Sequence, residues 1–353
     1  MFTVALVVNS SVNGGAEQYL YDLYRELLKR NICKVVLVGS LPNWPSKLGE
    51  QRYTGVPRKF TRKSSISVQI FQALFYPMRV RRLIRGLKPD LIHMQFMREK
   101  FLLPALLKKY CPVLWTEHGH GFDDLSGLPL KIFKWQSKFS TVISISQGVK
   151  KGLNKHGISS ILIHNPIPDV AINLHSKQED FESNPSDRFK VMYVGRIHED
   201  KRIELLIEVA KLLPDIDFVI AGEGAYQQVL SGKSSPNVSF VGFVHDVKNL
   251  MKSANVVVIT SGQAAREGSP LVMLEARSLG IPVLIASDCH AAIEAKSLGC
   301  KLFHPEPSAL FHALLTTMKF GEILPLDEKI RADRSVEKWA SRHTEVMLGM
   351  LRK

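Results

Sequence analysis

Cysteine is scarce in this chain, with four in 353 residues. Cys33, Cys111, Cys289 and Cys300 show no close paired spacing and fall in or beside strand-like segments. That excludes a disulfide framework and predicts reduced core thiols in a cytoplasmic protein. Long apolar runs are missing too: none approaches the roughly 20 residues that a membrane-spanning helix needs. The apolar opening FTVALVVNS follows no basic segment and soon meets Gly14-Gly15, so it reads as a buried strand and not as a signal peptide. Neither a G-x-G-x-x-G fingerprint nor a P-loop is present. No short-period repeat or low-complexity tract occurs.

Positive charge, by contrast, is plentiful and uneven. The formal net charge is +14. Residues 1–170 hold about 25 Lys and Arg against about 10 Asp and Glu, and the remainder is close to neutral. A basic half suggests an anionic membrane, nucleic acid or a phosphorylated substrate. Nucleic acid needs a basic groove with interleaved aromatics or a recognition helix, and the sequence offers neither, so no nucleic-acid partner is expected.

Short Val/Ile/Leu-rich runs alternate with helical patterns. Strands are predicted at 2–9, 33–39, 90–95, 112–117, 141–146 and 160–164, then at 190–195, 217–221, 238–242, 255–260, 282–286 and 301–303. Runs that are apolar on both faces and separated by helices predict parallel sheets in an α/β, doubly wound architecture. The stretch 165–187 lacks this pattern and carries Pro, Asn and Ser punctuation. The expected organisation is therefore a first Rossmann-like domain over 1–170, a linker at 171–187 and a second such domain over 188–325. A C-terminal helix at 326–353 is expected to pack back on the first domain. Two such domains would face a central cleft at the carboxyl ends of their sheets.

Five segments could carry chemistry. In NSSVNGGAEQYLYDL, Gly14-Gly15 sits between a strand and an amphipathic helix, where backbone N–H groups can meet an anion. A tight strand-to-helix turn explains the same residues. In VMYVGRIHEDK, Arg196 and Lys201 follow a strand, and Lys201 is expected to open a helix; two cations there suit a diphosphate, or merely form a basic loop. In REGSPLVMLEARSLG, Glu267 and Glu275 lie eight residues apart. Ser269 is expected to cap a helix, Pro270 to occupy its first turn and Gly280 to follow its end. The N–H groups of Leu271 and Val272 could face a phosphate. Glu275 could bind two vicinal sugar hydroxyls, reach solvent or pair with Arg277.

In VLWTEHGHGFDD, His118 directly follows a strand. The neighbours His120, Asp123 and Asp124 match no standard zinc spacing, so no metal is expected. Asp215-Ile-Asp217 resembles a metal-binding D-x-D, but Pro214 before it favours a turn leading into a strand. Past Pro77, Arg79, Arg81, Arg82 and Arg85 mix with apolar residues as in basic amphipathic helices on anionic bilayers. A solvated basic face on a domain helix would explain the same residues, but together with the basic first half they are expected to be a membrane or acceptor contact.

Taken in order, Gly14-Gly15, TEH at 116–118, VGR…K at 194–201, AGEG at 221–224, VGFV at 241–244 and EGSPLVMLEA at 267–276 resemble family 4 of the retaining glycosyltransferases, of GT-B fold. The resemblance implies a UDP- or GDP-linked sugar donor, no cofactor and no metal. It assigns Arg196 and Lys201 to the donor diphosphate, Gly15 to a backbone contact with it and Glu275 to the ribose hydroxyls. It also assigns Glu267 to a place near the transferred sugar, His118 to that sugar or to orienting the reacting groups and Phe243 to the base, with Gly14 and Gly268 also in the donor-binding set. The common form has Phe-Gly where Ser269-Pro270 stand here, which leaves the sugar open, and Pro270 removes one N–H.

The function expected is a metal-independent, retaining hexosyltransferase. It would move a sugar to a lipid-linked or phosphorylated glycan acceptor in envelope polysaccharide or lipopolysaccharide synthesis. Its place would be cytoplasmic and peripheral, at the inner face of the plasma membrane. Alternatives are a soluble transferase acting on a small sugar phosphate, and a non-catalytic GT-B-like partner subunit.

Overall fold

The computed structural model describes residues 1–11, 14–54, 66–169, 188–320 and 325–352, with residues 66–74 described for their backbone only. The linker predicted at 171–187 lies outside the described residues. Two compact units are present: Met1–His164 with Glu337–Lys353, and Asn165–Val336.

The first unit contains β1 (Phe2–Asn9), β2 (Cys33–Ser40), β3 (Glu50–Arg52), β4 (Leu91–Met94), β5 (Val113–Glu117), β6 (Thr141–Ser144) and β7 (Ile161–Leu162). They form one sheet in the order β3-β2-β1-β4-β5-β6-β7, and every pairing is parallel. The second unit contains β8 (Lys190–Val194), β9 (Asp217–Ala221), β10 (Val238–Gly242), β11 (Val256–Ile259), β12 (Val283–Ala286) and β13 (Lys301–Phe303). Its sheet is also parallel, in the order β10-β9-β8-β11-β12-β13. Each order reverses direction once, between β1 and β4 and between β8 and β11. Ligands of doubly wound sheets bind at these reversal points, outside the carboxyl ends of the strands.

All the strands expected from the sequence are present, most trimmed at their ends; among the described residues only the short edge strand β3 was missed. In the second unit, successive strand residues feed opposite cores. Met192, Val257, Ile259, Val283 and Ile285 pack with Met273 and Leu274 of the helix Leu271–Ser278. Val191, Tyr193, Val256, Val258 and Leu284 pack on the other face with Leu206 and Leu310. This two-sided burial is why the strands read as continuous apolar runs. The four cysteines are free and buried, and burial pushes their thiols up to about 12.

Backbone ladders continue past the strand ends by way of glycine. Gly222 has φ +136, and a Cβ there would lie 1.9 Å from the Gly195 carbonyl oxygen. Beyond it, the N–H of Ile197 donates to the Glu223 carbonyl at 2.9 Å. Gly39 repeats the device in the first unit, with φ +134 and the Val8 carbonyl 1.9 Å from a would-be Cβ.

The C-terminal segment departs from the single helix expected over 326–353. It forms Glu328–Asp333 and Val336–Leu351, and the second of these belongs almost wholly to the first unit. At the break, the buried Arg334 guanidinium bonds Glu294 at 2.7 Å and the Asn165 carbonyl at 2.9 Å. This fixes the chain where a continuous helix would carry it away. The basic helix also differs: it begins at Ile66 and runs through Pro77 to Leu87, so Pro77 does not open it.

Gly222→Ala is expected to lower the thermal midpoint by several degrees, since a strained left-handed residue costs about 1–3 kcal/mol and the clash adds to it. A thermal melt by circular dichroism checks this.

Candidate functional site

In the second unit, β8 ends at Val194, and Gly195 and Arg196 follow it beside the reversal point. Tyr193 fixes the turn by donating its hydroxyl to the Arg196 carbonyl at 2.9 Å. Arg196 is exposed and lies 3.7 Å from Asp200. Lys201 does not open a helix, as the sequence suggested. It ends the 3-10 turn Glu199–Lys201, and the next helix starts at Glu204. Its ammonium is buried and paired with Oε1 of Glu267. Oε2 of Glu267 is buried and makes no hydrogen bond among the described residues.

Three residues that the sequence reading overlooked hold Lys201 in place. Arg202, at φ +48, grips both carboxylate oxygens of Asp288 at 2.7 and 2.9 Å and donates to the Thr260 carbonyl at 2.9 Å. Thr260 donates its hydroxyl to the Lys201 carbonyl at 2.5 Å. The sequence signal was weak: an Arg beside a Lys, and an Asp just past a strand 86 positions on.

The helix after Glu267 begins at Leu271, with Pro270 in the capping position and no side-chain cap. Ser269 therefore does not cap it. The Ser269 hydroxyl is buried without a partner among the described residues, while its carbonyl accepts from Asn165 at 3.3 Å. The physical reason is Pro270: with φ −60 and ψ 123 it holds the chain extended and delays the helix by one residue. Helical bonding starts with the N–H of Met273 to the Pro270 carbonyl. The N–H groups of Leu271 and Val272 precede it and stay available to an anion. Gly268 lies between Glu267 and this helix start. Glu275 is half-buried on the helix. Arg277 is buried, with Nε donating to the Leu298 carbonyl at 2.9 Å. Phe243 follows β10 and is 55% exposed, its ring edge against His245.

In the first unit, Gly14 precedes the helix Gly15–Lys29. Its N–H is not open to a ligand, because it donates to Glu17 at 3.1 Å; the other oxygen of Glu17 accepts from Ser10 at 2.5 Å. His118 directly follows β5. Its Nε2 meets Oε1 of Gln95 at 2.7 Å, and Nε2 of Gln95 donates to the Ala16 carbonyl at 2.8 Å. A carbonyl only accepts, so the amide orientation is fixed and its oxygen faces His118. Nε2 of His118 thus carries the proton, and Nδ1 presents a lone pair. Burial, then the charge of Lys100, holds His118 well below the ordinary imidazole range, so the ring is neutral near pH 7. The Tyr19 ring packs edge-on to His118 at 4.6 Å, and its hydroxyl bonds His343 on the final helix at 2.6 Å.

Nearby, His120 and His156 both approach Asp123, at 2.8 and 3.3 Å. Asp215-Ile-Asp217 is a turn entering β9, and Asp217 pairs with Arg188 at 3.3 Å. Along the basic helix, Arg79 donates to the Thr54 carbonyl at 3.1 Å and Arg81 to the Tyr110 hydroxyl at 2.7 Å. Arg82 and Arg85 are exposed.

Two further buried histidines join His118 in giving the first unit a pH signature. Burial lowers His93 to about 3 and His343 to about 4, from an ordinary 6.5. The unfolded chain binds these protons first, so stability is full above pH 6.5 and falls as pH drops from there toward 4, by up to about 1.4 kcal/mol per pH unit for each ring. Thermal melts from pH 8 to 4.5 should show this loss, and His343→Gln should make it smaller, leaving the share of His93 and His118. Gln95→Leu is expected to free the tautomer of His118, read from its ring 15N shifts.

Comparison with known proteins places this geometry. The model for Glycosyltransferase Family 4 matches residues 13–169, and that for Glycosyl transferases group 1 matches residues 176–309. An Escherichia coli UDP-Gal:alpha-D-GlcNAc-diphosphoundecaprenol alpha-1,3-galactosyltransferase is 25% identical over 58% of this chain and 60% of its own length. The Escherichia coli O-antigen biosynthesis glycosyltransferase WbnH is 27% identical over 52% of this chain and 55% of its own. The match thus spans little more than half the length of these curated relatives. Anabaena Alr3699/HepE, solved with UDP and glucose, superposes with a TM-score of 0.77 at 18% identity, covering 98% of this chain and 99% of that one. The two matched models together span most of the chain, and the parallel sheets agree with the superposed neighbour: the chain belongs to the family 4 glycosyltransferases, with the GT-B fold.

Proposed function

We propose that the chain is a retaining glycosyltransferase that moves a hexose from a UDP-linked donor to a lipid-linked glycan acceptor during envelope polysaccharide synthesis. The observation that carries this reading is the second unit's reversal point. There Arg196 and Lys201 follow β8, Lys201 pairs with Glu267, and the helix that begins at Leu271 follows Glu267 with the N–H groups of Leu271 and Val272 at its start. Such a set suits a diphosphate whose charge grows as it departs. The relatives, a galactosyltransferase named for UDP-Gal and a diphosphoundecaprenol-linked acceptor and a neighbour solved with UDP, supply the chemistry to try first.

On this reading, Lys201 and Arg196 neutralise the diphosphate, Glu275 accepts from the ribose hydroxyls and exposed Phe243 stacks on the base. Oε2 of Glu267 accepts from a hydroxyl of the transferred sugar. The backbone of Gly15 and Gly268 lets the donor approach closely, and the lone pair of His118 Nδ1 takes a sugar hydroxyl proton in a hydrogen bond. The anomeric C–O bond to the diphosphate breaks and the acceptor oxygen bonds the same face of that carbon. The acceptor's proton passes to the departing phosphate oxygen. No residue is required as a base, and no metal is needed where two cations already meet the phosphates.

Incubation with UDP-, GDP- and ADP-sugars and a diphospho-lipid glycan should release UDP from one donor. Lys201→Ala and Glu267→Ala should each lower turnover about 10²–10³-fold. Because Lys201→Ala leaves Glu267 unpaired, the paired variant Lys201→Met with Glu267→Gln checks that the fold survives. Absence of any nucleotide-sugar binding, or full activity in these variants, would sink the reading.

A further inference from the structure

One face of the first unit carries a band of exposed apolar side chains among cations, and its second half went unnoticed in the sequence. The helix Gly127–Ser137 presents Leu128, Lys131, Trp135 and Lys138 at steps of three, four and three, which is a single stripe. Leu128 is 68% exposed and Trp135 50%. On the helix Ile66–Leu87, Met78 is 54% exposed beside exposed Arg79 and Arg82.

The two stripes share one side of the sheet. Connections that follow β3, β4 and β5 run in the same direction along the strand order, so right-handed crossovers put their helices on one face. Side chains trace the continuity. Arg81 donates to Tyr110 at 2.7 Å, Lys108 lies 5.5 Å over the Phe139 ring, and Phe139 meets Trp135 edge-on at 5.0 Å. Residues 66–89, 100–116 and 125–150 contain no acidic side chain.

We infer that this band docks the chain on an anionic bilayer, with Trp135 and Leu128 entering the headgroup layer and the lysines and arginines meeting lipid phosphates. Charge complementarity selects this occupant: cations on segments without acidic side chains repel a second copy of themselves and are drawn to anionic lipid. An exposed Trp among lysines suits the polar–apolar boundary, where one edge of the ring is wet and the other is not. The inference rests on the proposed lipid-linked acceptor for its purpose, since docking would bring the chain to its substrate, but its test does not need that acceptor.

Co-sedimentation of the whole chain with vesicles of phosphatidylglycerol mixed into phosphatidylcholine, against phosphatidylcholine alone, tests it. Binding is expected only with the anionic lipid and should weaken as salt screens the charges. Trp135→Ser with Leu128→Ser, and separately Lys131→Glu with Lys138→Glu, should each weaken binding about tenfold. Far-UV circular dichroism keeps these variants honest as folded protein. Indifference to anionic vesicles, equal binding to neutral ones, or unchanged binding by both variants overturns the inference. So does a dimer in solution that Trp135→Ser dissolves while vesicles are ignored, because a second copy is then the occupant. Donor consumption in free solution is scored on the same preparations. Vesicle binding without sugar chemistry therefore refutes the transferase alone, and sugar chemistry without vesicle binding refutes the docking alone.

Discussion

Both sheets are parallel and covered on both faces, and that burial governs everything else in the molecule. A strand buried on two sides has no place for working polar groups along its length. Side chains free to work on a ligand therefore gather at strand ends and in the loops beyond them. A polar group kept inside a strand, such as His93, is consumed by buried partners, Tyr24 at 2.7 Å and Thr116 at 2.9 Å. The order of each sheet then selects which ends matter, because only at the reversal point do neighbouring loops diverge and leave room for a ligand. Arg196, Lys201 and Glu267 sit at one such point, and Gln95 and His118 at the end of neighbouring strands in the other sheet.

Placing charge at these ends requires rigid support. Burying Lys201 is tolerable only because Glu267 pairs with it and because Arg202, Thr260 and Asp288 fix its backbone. The first unit uses neutral contacts instead. Gln95 fixes the proton on His118, and Tyr19 props the ring from the side, held in turn by His343. Both arrangements preorganise a polar atom before any ligand arrives, the condition under which such groups act most strongly.

Much of the fold was legible because hydrophobic periodicity reports burial directly: twelve strand positions could be read from Val/Ile/Leu runs. β3 escaped because Glu-Gln-Arg on a sheet edge has no apolar signature. The helix start at Leu271 was misplaced by one residue, since Ser269 looks like a cap while the stiffness of Pro270 decides otherwise. Gly14 looked like an open anion donor, but the carboxylate that fills its N–H is only three residues away on the same helix.

The sequence by itself determined the alternation of strands and helices, the cations after β8, the two glutamates eight residues apart and the family resemblance, because each is written in local spacing. Only the tertiary structure decided which partners those residues take. Lys201 meets Glu267 across 66 positions, Arg202 meets Asp288 across 86 and Tyr19 meets His343 across 324. Contacts at such separations follow from strand order and helix packing, which no local pattern encodes. The same holds for Trp135: its exposure depends on which side of its helix the core takes.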